Sequence, residues 1–199
     1  MVENDGRFHF PSACARATCD GLRLPMQHMT SFKTVAACLA GRTRSYLAEQ
    51  ADIGVSEEHA VTDGVNHLKL RKATAIVGIG GNTGMLIAFS FSQPMIDALY
   101  ERLTAGIAVP PDQKSELRDA TVIEVANIIV GNCTEDFARF DDRISLSPPV
   151  LLADSKSIYP KTDAMFGTVS MVTPHGSLDI HIVGPRAMFE AQLNYEREN

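Results

Sequence analysis

From Ser31 onward the spacing of apolar residues switches between periods of about 3.6 and about 2, in an order that restricts the class of fold. Phe32, Val35, Ala36, Leu39, Ala40, Tyr46 and Leu47 recur at helical spacing. Thr30 or Ser31 is placed to accept from the unpaired N–H groups of a first turn, so a helix is predicted from here to near Ala51. Residues 63–80 and 83–91 become β-branched and alternating around Gly81-Asn82, which predicts a β-hairpin. Pro94 suits a first helical turn, and Ile96, Leu99, Tyr100 and Leu103 carry a second helix toward a stop at Gly106. After Pro110-Pro111, residues 115–131 hold the strongest helical pattern in the chain, with Gly131 expected near its end. Strands return at residues 143–147, 164–172 and 177–183, the last two forming a second hairpin about Pro174-His175-Gly176.

The order is therefore helix, strand hairpin, helix, helix, strand, strand hairpin. It lacks the strand–helix alternation of a doubly wound parallel sheet, and it predicts an α+β fold: an antiparallel β-sheet with long helices packed on one face. A length of 199 residues with 45% hydrophobic content suits one core. Residues 1–28 contain Pro11, Pro25 and isolated apolar residues without a period, so they are expected to be a loose N-terminal extension to a single domain over 29–199.

A net charge of −6 with scattered Lys and Arg argues against nucleic acid, whose binders need a dense basic face to displace counterions. No apolar run approaches the roughly 20 residues needed to span a bilayer, and the first residues lack a signal-peptide pattern. A cytoplasmic protein with no membrane partner is expected. Cys14, Cys19, Cys38 and Cys133 show no C-x-x-C spacing and are expected as free thiols, and the six histidines are spread without ligand spacing. No metal or other cofactor of its own is expected. The glycines of residues 78–84 suggest a dinucleotide loop, but a strand pattern follows them where such a loop must open a helix. No G-x-S-x-G elbow surrounds Ser90 or Ser92. The acids Glu135, Asp136, Asp141 and Asp142 are expected in a solvated loop past the third helix.

That third helix separates into two faces. At roughly 100° per residue, with Glu124 at the origin, Asn127 falls near 300°, Ala120 near 320° and Gly131 near 340°. Val122, Ala126 and Ile129 lie on the opposite side and must pack on the core. Glu124 and Asn127 thus project together, flanked by two small residues that leave room for a close approach.

The string Glu124-x-x-Asn127 followed by Ile128-Ile129-Val130-Gly131-Asn132, downstream of the glycine-turned hairpin at residues 79–87 and upstream of Ile144 to Val150, resembles the CheX branch of the CheC/CheX/FliY chemotaxis phosphatases. The likeness covers about residues 31–185. One departure is Ile123, where many members carry a small residue; it falls near 260°, beside Asn127. The resemblance implies a phosphatase that hydrolyses the aspartyl phosphate of a CheY-like response-regulator receiver domain in two-component signalling. By the same resemblance Asn127 orients the attacking water, Glu124 docks on the receiver's lysine, and Mg2+ sits at the partner's phosphorylation site. It also implies a homodimer joined through a sheet edge. The rival reading is a non-catalytic receiver-binding or flagellar-switch adaptor of the same fold.

Overall fold

A computed structural model describes residues 31–61, 68–81, 84–139, 143–154, 157–159 and 164–190. The extension expected over residues 1–28, most of the first hairpin turn, and Asp141 and Asp142 lie outside the described residues.

The first helix, α1, spans Phe32–Ala51 and starts where expected: the Ser31 Oγ accepts from the Thr34 N–H at 3.3 Å, satisfying one of the unpaired donors of the first turn. It ends as Asp52 turns into the left-handed region at φ 49°. β1 (Glu57–Val61) follows, then β2 (Leu68–Lys69), β3 (Ala73–Gly80) and β4 (Met85–Phe91). α2 (Gln93–Leu103) carries Pro94 in its first turn, as expected. A short 3-10 turn, Pro111–Gln113, leads into α3 (Lys114–Ala138). The chain continues through β5 (Ser145–Leu146), β6 (Val150–Ala153), β7 (Ser157–Ile158), β8 (Ala164–Thr173), β9 (Gly176–Pro185) and α4 (Arg186–Glu190).

Seven strands form one antiparallel sheet in the order β1-β8-β9-β4-β3-β5, with β6 sharing the far edge of β3. Both expected hairpins are present: β3 and β4 pair from Ala73↔Phe91 to Ile79↔Met85, and β8 and β9 from Ala164↔Pro185 to Thr173↔Gly176. One face of this sheet is apolar and carries the helices. Ala75, Val77, Ile87, Phe89, Phe91, Ile180 and Ile182 point into it with almost no exposure. α3 lies over β3, α1 over β8 and β9, and α2 against β9, while α1 and α2 both pack on α3. The fold is the expected α+β arrangement, with long helices on one face of an antiparallel sheet.

Close approach of α1 to the sheet depends on Gly167 in β8. A Cβ placed there would lie 2.0 Å from Phe32 Cε2, far inside van der Waals contact, so only a residue without a side chain lets the Phe32 ring come this close to the strand. Phe32 also stacks on Phe189 of α4, ring centroids 5.2 Å apart.

The structure corrects three expectations. The segment over residues 63–80 is not one strand: Leu68–Lys69 pairs with β7 in a separate two-stranded sheet. The break falls at Arg71, whose backbone N–H donates to the Ser90 Oγ at 2.7 Å and whose guanidinium turns to Asp179. α3 does not end near Gly131 but runs seven residues further. Gly131 is on the exposed side with open space around it, and Cys133 and Phe137 continue the buried stripe, which offsets the roughly 1 kcal/mol that an interior helical glycine costs. Glu135 and Asp136 consequently lie in the helix, not in a loop.

Candidate functional site

α3 exposes what the wheel expects and buries the rest. Val122, Val125, Ala126, Ile129, Val130 and Cys133 are fully inaccessible, whereas Ala120, Glu124, Asn127 and Gly131 are exposed. Ile123 is half-buried, so the one bulky neighbour of Asn127 is partly withdrawn into the packed side. Among the described residues, neither Glu124 nor Asn127 makes a side-chain hydrogen bond or ion pair. A carboxylate and a carboxamide, one helical turn apart, are thus offered to solvent with their hydrogen-bonding capacity unused.

The two residues differ in what stands beside them. Glu124 forms part of the wall of a groove of about 520 Å³ between α1 and α3, together with Arg42, Tyr46, Glu49, Ile128 and Asn132. Asn127 does not line that groove and stands on the outer side of the same helix. The site therefore has an acidic end beside the groove and an amide end outside it.

Tyr46 is the residue that sequence reasoning assigned to the core and nothing else. Its ring is buried, 7% exposed, yet it reaches the groove. Burial first, and then the Glu124 carboxylate, raise the phenol above its ordinary pKa, so the hydroxyl stays protonated and available as a donor beside Glu124. Nothing in its spacing distinguishes it from Leu39 or Leu47; only the packing of α1 on α3 brings it to Glu124.

A second polar junction lies on the same pair of helices. The Arg42 guanidinium donates to Asp136 Oδ2 from Nη2 at 2.8 Å and from Nε at 3.2 Å. This contact, more than the Cys38 thiol also donating to Asp136, holds the carboxyl below the usual carboxylate range. Because Arg42 also lines the groove, the ion pair anchors one side of it.

Elsewhere, a larger open cleft of about 980 Å³ lies around the turn end of β3 and β4, lined by Gly78, Gly80, Gly84, Leu86, Ser145 and Ser147 among others. Gly84 leads into the strand β4, and the geometry of a dinucleotide loop opening a helix is not formed there. Among the described residues, no group of three or more His, Cys, Asp and Glu side chains is placed to hold a metal ion, and no helix is long and apolar enough to cross a membrane.

The same arrangement of sheet and helices recurs in solved chemotaxis proteins. A CheX protein from Desulfovibrio desulfuricans superposes with a TM-score of 0.63 over 75% of this chain and 98% of its own, at 18% identity. The chain has the CheX/CheC fold. A CheC-like superfamily protein from Shewanella sp. PV-4 gives a TM-score of 0.64 at 14% identity, covering 76% of this chain and 97% of its own. A chain of the CheX–CheY–BeF3–Mg2+ complex from Borrelia burgdorferi gives 0.60 at 17% identity, over 76% and 97%. No family model and no curated protein sequence matches the chain. The CheX/CheC fold thus emerges here from structure at low sequence identity, and the Glu124/Asn127 pair sits on one of its long helices.

Proposed function

We propose that this protein is a phosphatase that accelerates hydrolysis of the aspartyl phosphate on a CheY-like receiver domain, working in the cytoplasm as part of a two-component circuit. The observation that carries this reading is the free, exposed pairing of Glu124 with Asn127 on one face of α3, in a fold shared with CheX proteins. The Borrelia burgdorferi complex, in which a CheX is seated with CheY, BeF3 and Mg2+, supports a receiver as the partner.

Hydrolysis of an acyl phosphate needs a water held in line with the scissile P–O bond, and most of the remaining work is electrostatic. In this reading the receiver brings its own carboxylates and Mg2+, and this chain brings no cofactor. Asn127 is suited to hold the water, since its amide both donates and accepts without changing charge. Glu124, on the wall of the groove, pairs with a cationic side chain of the receiver. The position of Asn127 outside the groove fits a role toward the partner's phosphate, and the position of Glu124 beside the groove fits a role in docking. Dimerisation through a sheet edge completes the proposal, with β1 or the β5/β6 side as the pairing edge.

The test is decay of a phosphorylated receiver with and without this protein. Asn127→Ala should abolish the acceleration while receiver binding stays measurable, and Glu124→Ala should weaken binding itself. Full activity in Asn127→Ala would overturn the assignment. Binding without any acceleration by the native chain would select the adaptor reading.

A further inference from the structure

The groove between α1 and α3 is walled by two helical stripes. Arg42, Tyr46 and Glu49 follow one another along α1, and Glu124 and Ile128 along α3, at the spacing that sets side chains on one helix face. The charges of these walls do not cancel. Arg42 is already held by Asp136 at 2.8 Å, whereas Glu49 and Glu124 make no side-chain hydrogen bond or ion pair among the described residues. Glu49 stands in the last turn of α1, which carries no basic residue, so the partial negative charge of that helix end adds to both carboxylates. Tyr46 is more than nine-tenths buried; its hydroxyl has no hydrogen-bond partner among the described residues, and the side chain lines this groove. We propose that Glu49 and the Tyr46 hydroxyl of α1 complete, with Glu124 of α3, a cation-accepting groove that takes a lysine or arginine side chain of a docking receiver.

The two halves of such a side chain match the two kinds of wall. Its methylenes lie against Ile128, Leu103 and the Tyr46 ring, while its charged head donates to the carboxylates. The phenol, kept protonated by burial first and by the Glu124 charge second, still has an oxygen that accepts from the same head. An anion would meet two like charges there, and an apolar side chain would strip water from two carboxylates without pairing them. The receiver as source of the cation rests on the reading that a receiver docks at Asn127, one turn along α3 from Glu124. The preference of the groove for a basic side chain does not.

The test uses the full chain with carbon-13 in its tyrosine rings, the Tyr46 signal being assigned by its loss in Tyr46→Phe. Butylammonium and butylguanidinium chloride should each shift that signal saturably, and sodium butyrate at the same concentration should not. Glu49→Gln and Glu124→Gln should each weaken the affinity for both cations about two- to fivefold, the worth of one exposed ion pair. Equal responses to cation and anion, or native affinity in Glu49→Gln, would overturn the groove. In a second arm, the Kd for a CheY-like receiver held with BeF3 and Mg2+ should rise by a similar factor in Glu49→Gln, and an unchanged Kd would overturn the receiver as occupant. A raised Kd without any acceleration of receiver dephosphorylation by the native chain would support the groove and sink the phosphatase reading alone.

Discussion

Arg71 donates to both carboxylate oxygens of Asp179, from Nε at 2.6 Å and from Nη2 at 3.0 Å, on the sheet face turned away from the long helices. The Asp179 side chain is only 10% exposed, and Ser90, which accepts from the Arg71 backbone, also bonds the Thr74 hydroxyl at 2.9 Å. One bidentate pair therefore fixes the start of β3 onto β9. Asp179→Ala leaves the guanidinium without its partner and should cost about 2–3 kcal/mol, read as a lower urea midpoint with an unchanged slope.

Gly167 and Phe32 make a second coupled pair. Gly167→Ala forces the ring away from β8 and should destabilise by about 1–3 kcal/mol, the usual cost of overpacking. In a Phe32→Ala background the same change meets empty space. A double-mutant cycle should therefore show the two losses adding to clearly more than the double variant loses; simple additivity would mean the ring does not rest on position 167.

Asp136 predicts an acid limb. Its carboxyl titrates below the unfolded value of about 4, chiefly because Arg42 donates to it. The pair contributes its full stability above that unfolded value and loses it as pH falls through the depressed folded value. Denaturation of the native chain and of Asp136→Asn should differ at neutral pH, and the difference should fade in acid.

Glu124 has a signature independent of any receiver. Its charge helps to raise the Tyr46 phenol, so Glu124→Gln should bring that titration part of the way back toward about 10, with burial holding the rest; ultraviolet difference spectra across alkaline pH report it. An unchanged titration would show that the carboxylate does not face Tyr46. With a receiver present, Glu124→Lys should impair the interaction more than alanine does, because two cations would then oppose each other.

What the sequence reveals depends on how one-sided each element's environment is. α1 and α3 stand out because each buries one face and exposes the other, and the same asymmetry sets Glu124 and Asn127 apart on a wheel. β1 cannot be seen that way: Glu57 to Val61 are exposed throughout, an edge strand defined by pairing with β8 and not by apolar alternation. β6, also on an edge, is only half-buried at Leu151 and Leu152. The far end of α3 was hidden by Gly131, whose turn-forming tendency is overridden by Cys133 and Phe137 packing beneath it. The junction of Cys38, Arg42 and Asp136 joins residues more than 90 positions apart, and no local pattern links them. Tyr46 shows the same limit from inside the core, since a periodic pattern states that a ring is buried and not what its hydroxyl meets.

The 25 residues of α3 form an uninterrupted rod seated along its length, and its outward residues are carried at fixed spacing. A surface docking there has no hinge to wait for and no loop to order, so the conformational loss at contact on this side is confined to side-chain torsions, roughly 0.5–1.5 kcal/mol for each long chain immobilised. Association on such a face is governed by diffusion and charge orientation. Any slow step belongs to the approaching molecule, and the helix sets the geometry that molecule must reach.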